Sequence, residues 1–168
     1  MGRAKKKIEK KALKPKVSAP PTLFNKKARF EFEILEVLQA GLILTGTEVK
    51  SLRLGRGQLA EGFVKINKKL EAYLYGVTIP KYEFGNRYNH DPDRIRKLLM
   101  NKKEILKWKS QAEKEKLTIV PLKIYFKGSW VKVKLGLAKR KLQHDKRKEL
   151  KEKAVNQDIK REVKKAQW

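Results

Sequence analysis

The sequence predicts a mainly β domain, an antiparallel sheet of six strands closed on itself, with two to three inserted helices and a basic C-terminal tail. Three observations predict it. Short runs of apolar residues, several in strict alternation, recur between Gly, Pro and Asn turn signals. Helical spacing is confined to brief segments that open on capping residues. The β and α patterns do not alternate as βαβ units, and no period of roughly 20–50 residues repeats, which excludes a doubly wound sheet and a solenoid.

In order along the chain, residues 1–24 mix Lys clusters with Pro15, Pro20 and Pro21, and read as a disordered basic arm. The body is expected over residues 25–138. Order begins near Arg29, where Phe30, Phe32 and Ile34 alternate with Glu31 and Glu33; Ala40-Gly41 is then read as a break, with Leu42 to Leu44 as the second arm of a hairpin. Thr45 lies three residues before Glu48, the spacing of a capping box, and predicts a helix from Gly46 to Leu54 ended by Gly55. Strands follow at Gly62 to Ile66 and Glu71 to Ile79, around the polar turn at Asn67. Lys81 to Asp93 has no period. Asn101 and Glu104 repeat the capping spacing, predicting a helix from Lys102 to about Glu115 that turns Ile105, Trp108 and Ala112 to the core. The state of Arg94 to Met100 is left open. Leu117 to Phe126 and Trp130 to Leu137 form a hairpin about Gly128-Ser129, and Pro121 makes the first an edge or bulged strand. A small OB-like barrel fits this order.

Charge is concentrated at the ends. Residues 1–29 carry 11 Lys and Arg against one acid and residues 139–168 carry 12 against five, so 17 of the 26 net positive charges lie there, whereas residues 30–80 balance six against six. A small domain needs roughly 2–8 net charges for solubility. A near-neutral body with cationic extensions is suited to a polyanion, because Lys and Arg displace the counterions condensed on phosphates. The chain has no Cys, which removes disulfides, thiol nucleophiles and Cys-ligated zinc. With no run near the roughly 18 apolar residues of a membrane span and no signal-peptide pattern, a soluble, cytoplasmic, monomeric protein is expected.

Catalysis finds little support. His90 and His144 are the only imidazoles, neither has a Ser or Asp partner in a triad context, and no Gly-rich phosphate loop is present. His90-Asp91-Pro92-Asp93 reads as a loop and an N-cap ahead of a metal site, so no cofactor and no metal are expected. RNA chemistry is better served. Tyr82, Phe84, Arg87, Tyr88, Asn89 and His90 place rings beside amide and cationic groups, which stack on unpaired bases and bond their edges; the competing reading is a loop that covers the core. Six Lys and Arg, with His144 among them, fall within Lys139 to Lys148. Beyond them Val155, Ile159, Val163 and Ala166 recur three or four residues apart, an apolar stripe too thin to hold an isolated helix. The tail, residues 139–168, is therefore expected to become helical on a partner, the alternative being a helix docked on the barrel; a membrane-surface helix is a third, weaker reading.

Several strings occur here in a specific order: Asn25-Lys26-Lys27-Ala28-Arg29; Ala40-Gly41 running to Leu44-Thr45-Gly46-Thr47-Glu48-Val49-Lys50-Ser51-Leu52-Arg53; His90-Asp91-Pro92 running through Arg96-Lys97-Leu98-Leu99 to Asn101-Lys102-Lys103-Glu104-Ile105; then Gly136-Leu137-Ala138-Lys139 and Gln143-His144-Asp145-Lys146-Arg147. Together they resemble the SsrA-binding protein family, also called small protein B. The resemblance spans about residues 25–150. It implies an OB-like barrel without enzymatic activity that binds the elbow of transfer-messenger RNA and delivers it to stalled ribosomes for trans-translation. It further implies contact with the small-subunit decoding centre and message channel, and with an elongation factor and alanyl-tRNA synthetase through the RNA.

By the same resemblance the RNA-contacting barrel surface would include Phe30, Gln39, Leu99 and Asn101. The ribosome-facing tail would include Lys139, Arg140, Lys141, Gln143, His144, Asp145, Lys146 and Arg147, with Val155, Ile159 and Val163 as the helix stripe. Phe30 and Gln39 stand where the family commonly has His and an acid, and Lys139-Arg140-Lys141-Leu142 stands where it tends to have Gly and a further Lys. A general ribosome-associated or structured-RNA-binding barrel is the alternative.

Overall fold

Phe32 to Leu42 form one long strand rather than a hairpin, with a register shift between Ile34 and Glu36. The computed structural model describes residues 20–85, 88–143, 147, 155, 159 and 161–163. Its elements are β1 (Leu23–Phe24), α1 (Lys26–Glu31), β2 (Phe32–Leu42), α2 (Gly46–Arg53), β3 (Phe63–Ile66), β4 (Ala72–Tyr75), β5 (Arg96–Leu99), α3 (Lys102–Glu115), β6 (Thr118–Lys127) and β7 (Trp130–Arg140).

Antiparallel pairing runs β6-β3-β4-β5-β2-β7, and β7 returns to β6, so six strands close a ring while the two-residue β1 adds to β6 beyond β3. The expected strand number holds with a different membership. The sequence predicts a break in β2 at Ala40-Gly41 and leaves Arg94 to Met100 open. In the structure Gly41 lies inside β2 because it faces Leu99 of β5, whose Cβ would sit 3.2 Å from a Cβ at Gly41. β5 supplies the sixth strand. Its inward residues are Arg96 and Leu98, and a charged inward residue conceals the apolar period that marks a half-buried strand.

The helices follow their caps. The Glu48 carboxylate accepts the Thr45 N–H at 2.7 Å and opens α2. The Glu104 carboxylate accepts the Asn101 N–H at 3.2 Å and opens α3, which buries Ile105 and Trp108 as expected. Asn25 caps α1 by accepting the Ala28 N–H at 2.9 Å, and this six-residue helix occupies the stretch where alternation from Phe30 predicted strand. Two boundaries also move. Leu23–Phe24 pair with Lys123 and Ile124, so order begins inside the stretch read as a disordered arm. β7 continues to Arg140 because Glu33 and Phe32 offer it partners, so Lys139 and Arg140, assigned to the tail, belong to the barrel. Pro121 sits at a register shift between Pro121 and Lys123, the bulge its missing N–H predicts. Leu52, Leu74, Ile79, Trp108, Val133, Leu135 and Leu137 fill the core.

Candidate nucleic-acid interface

Because β6, β7 and β2 are adjacent and in register, their outward residues fall into rows. Lys123 faces Lys134, which faces Gln39; Tyr125 faces Lys132, which faces Gly41; Lys127 faces Trp130 at the hairpin tip. Inward positions between them, Ile124, Val131, Val133 and Leu135, are buried, as the two-residue period of a strand requires. The outer face is thus a ladder of four lysines with rings and an amide between them. The Lys123 Nζ lies 5.0 Å from the Tyr125 ring centre and 5.9 Å from that of Phe24, and the Tyr125 hydroxyl donates to Gln39 Oε1 at 2.8 Å.

The two ends of this face differ. At one end Phe24, Arg29, Phe32, Lys123, Lys134 and Lys141 line a groove. The Lys141 N–H donates to the Glu31 carbonyl at 3.0 Å and its Nζ to the Arg29 carbonyl at 3.3 Å, which fixes where the tail leaves the barrel. β1 brings Phe24 to this groove, while Pro21 before it packs against Gly55 beyond α2. At the other end Gln39, Leu99 and Asn101 line one concavity with Met100 and Glu104. Three of the four barrel residues named from the sequence therefore come together. Phe30 does not: it is half-buried in α1, and Phe32, the residue that starts β2, is already about 23 Å from Gln39 at roughly 3.3 Å per strand residue.

The specific string from Thr47 to Arg53 has mainly structural work. Glu48 is fully buried, and its carboxylate accepts Arg96 Nε at 2.8 Å and Arg94 Nη2 at 2.5 Å. Burial pushes this carboxyl up, but hydrogen bonds from Arg94, the Thr45 N–H and Arg96 outweigh burial and hold it down at about 2. Arg96 also donates to the carbonyls of Val77, Arg94 and Pro92, tying β5 to the chain that enters it. Ser51 Oγ donates to the Pro80 carbonyl at 2.7 Å.

His90 is 6% exposed, with Nδ1 2.9 Å from Thr47 Oγ1 and Nε2 2.9 Å from the Ile79 carbonyl, so both ring nitrogens are engaged within the protein. Asn89 clasps the loop across Tyr82, accepting its N–H and donating to its carbonyl. Of the loop's RNA-contact candidates, only Phe84 and Tyr88 present exposed rings; Arg87 lies outside the described residues.

Among tail residues, Lys139 to Gln143, Arg147, Val155, Ile159 and Arg161 to Val163 are described, and from Gln143 on each of these is helical and exposed. His144, Asp145 and Lys146 lie outside the described residues. Val155, Ile159 and Val163 are 57%, 51% and 53% exposed.

Lys123, Tyr125, Lys132 and Lys134 were not singled out from the sequence. Their signal was present: Lys123-Ile-Tyr125-Phe-Lys127 and Trp130-Val-Lys132-Val-Lys134 each put polar or aromatic groups on one strand face and apolar groups on the other.

A closed barrel with one cationic, ring-bearing face and a cationic tail leaving from Lys141 has the build of a nucleic-acid-binding barrel. The family model described as SmpB protein matches residues 22–165, and the chain belongs to that family. It is 49% identical over 140 residues to the SsrA-binding protein of Enterococcus faecalis, covering 83% of this chain and 90% of the relative. It is 52% identical over 141 residues to that of Gloeothece citriformis, with the same coverage of 83% and 90%. A solved chain from work on tmRNA-SmpB at the center of the bacterial ribosome matches with a TM-score of 0.63 and 45% identity, over 73% of this chain and 86% of that one.

Proposed function

We propose that this protein binds transfer-messenger RNA through the outer face of β6, β7 and β2 and delivers it to stalled ribosomes for trans-translation. The observation that carries the reading is the ladder itself, Lys123, Lys132 and Lys134 in register with Tyr125 and Gln39, on a chain that belongs to the SmpB family. Lysines spaced by strand geometry meet successive phosphates, whereas rings and amides beside them meet unpaired bases. Gln39, Leu99 and Asn101 extend the surface, and Phe30 at the far end of β2 meets a different part of the RNA.

The tail acts separately. Its described residues are helical with an exposed stripe, and a helix with so little apolar contact of its own draws its stability from a partner. The reading assigns that role to the small-subunit decoding centre and the empty message channel, met by Lys139 to Arg147 and then by Val155, Ile159 and Val163. The protein works in the cytoplasm as a monomer, carries out no chemical step, and meets the elongation factor and alanyl-tRNA synthetase through the RNA.

Sequencing the RNA that co-purifies with the protein tests this reading. One dominant species with a tRNA-like end and an internal reading frame is expected; a broad mixture of structured RNAs would favour a general RNA-binding barrel.

Asn101 provides a local check. As the N-cap of α3 and as an exposed amide beside Gln39 and Leu99, it serves stability or contact. Asn101→Ala is expected to weaken the RNA complex by about 1–2 kcal/mol. Melting measured in parallel separates the roles, because a lost cap lowers stability by about 0.5–2 kcal/mol and leaves affinity per folded molecule unchanged.

A further inference from the structure

Trp130 is 76% exposed, the only indole among the described residues that meets solvent, since Trp108 is fully buried. It is rigidly presented. Lys127 pairs with Trp130 across the two-residue turn Gly128-Ser129, and Gly128 has φ +59°, the value a turn of this length with Gly first adopts. Trp130 also continues the outward row of β7 beyond Lys134 and Lys132, and it lines one concavity with Ile43, Leu99 and Lys132, none of whose lining residues is acidic. Elsewhere on the ladder the Tyr125 and Phe24 rings already have the Lys123 ammonium beside them, 5.0 and 5.9 Å from their centres. Among the described residues neither a ring nor a cation stacks on the Trp130 indole.

We propose that Trp130 is a stacking platform for one unpaired base of the bound RNA, flanked by Ile43 and Leu99, with Lys127 and Lys132 receiving the adjoining phosphates. The inference rests on the reading that this barrel binds transfer-messenger RNA, and it adds a contact that none of the residues considered above supplies. A nucleotide matches the site better than an apolar protein segment does. Its base covers the indole and the flanking Ile43 and Leu99, which are 43% and 56% exposed, while its phosphate keeps the two ammonium groups paired. An apolar segment would strip water from Lys132 without replacing it. The indole is held by a tight turn, so little side-chain freedom is lost on binding.

The test uses the full chain carrying Trp168→Phe, which leaves Trp130 as the exposed emitter beside the buried Trp108. Addition of transfer-messenger RNA is expected to quench the solvent-exposed emission with the same midpoint as complex formation measured by filter binding. Trp130→Ala is expected to weaken binding about 5- to 150-fold, the range for losing one stacked base. Trp130→Phe should retain most of the affinity and Trp130→Leu should not, because stacking needs a flat ring. Melting should stay unchanged in all three variants.

If the Trp168→Phe protein binds the RNA while its emission is unmoved and Trp130→Ala binds as tightly, the platform is refuted and the wider reading stands. Unchanged RNA affinity with lost ribosome association would likewise refute it, in favour of a protein contact. Failure of the parent protein to prefer transfer-messenger RNA over an elongator tRNA would overturn the wider reading and this inference with it.

Discussion

Replacing Glu48 with Ala is expected to destabilise the barrel by about 3–5 kcal/mol, the range for removing one member of a buried ion pair. The loss comes less from the carboxylate than from what it leaves. Arg96 is fully buried, and without Glu48 its remaining hydrogen-bond partners are the carbonyls of Val77, Arg94 and Pro92. Urea denaturation should show a lower midpoint with little change in slope.

The same site predicts a pH dependence. The folded carboxyl is held at about 2, below its ordinary 4.5, so its contribution is complete above the ordinary value and is lost as pH falls from about 4.5 toward about 2. Glu71 is also depressed to about 2, by hydrogen bonds from Lys97, Tyr73 and Asn67, so acid will weaken the parent through more than one group. Glu48→Gln isolates the buried site. Its melting temperature should fall less steeply than the parent's between pH 4.5 and pH 2; parallel curves would show that the Glu48 cluster is not coupled to folding.

Removing residues 142–168 should abolish peptide tagging on stalled ribosomes while leaving selective binding of transfer-messenger RNA largely intact. The cut is placed after Lys141 because β7 runs to Arg140 and the Lys141 N–H holds the Glu31 carbonyl, so an earlier cut would disturb the barrel. Single-turnover tagging with purified ribosomes, measured beside RNA affinity, reads both functions. A narrower change makes the same point. Ile159 lies within the exposed stripe, and Ile159→Pro costs a helix interior about 3 kcal/mol, so tagging should be blocked with RNA affinity unmoved. Tagging at the normal rate by the Pro variant would remove tail helix formation from the mechanism, and loss of both functions on truncation would return the tail to the RNA-binding surface.

The parts of this molecule legible in the sequence are those in which local chemistry dictates local structure. The capping pairs Thr45 with Glu48 and Asn101 with Glu104 placed α2 and α3 nearly to the residue. Pro121 announced a bulge and Gly128-Ser129 a hairpin. What was hidden depends on partners distant in sequence. β5 could not be read because its inward Arg96 is tolerable only beside Glu48, which lies in α2. Gly41 suggested a break because its contact with Leu99 had no local sign.

The candidate site divides the same way. The cationic tail is contiguous and conspicuous, whereas the barrel lysines are scattered singly over β6 and β7 and become one surface only when the Lys123 to Lys134 to Gln39 register is known. Asn89 and His90 had the composition of RNA contacts, but their polar atoms are already engaged with Tyr82, Thr47 and Ile79.

The decisive measurement is the salt dependence of transfer-messenger RNA binding by the full chain and by the Lys123→Ala, Lys132→Ala, Lys134→Ala triple variant. Each neutralised phosphate on duplex-like RNA contributes about −0.9 to the slope of log affinity against log salt. If the ladder meets the RNA backbone, a parent slope of roughly −5 should flatten by about 3 in the triple variant, with affinity reduced at every salt concentration. Equal slopes for the two proteins would show that the outer face of β6, β7 and β2 is not where this protein holds its RNA.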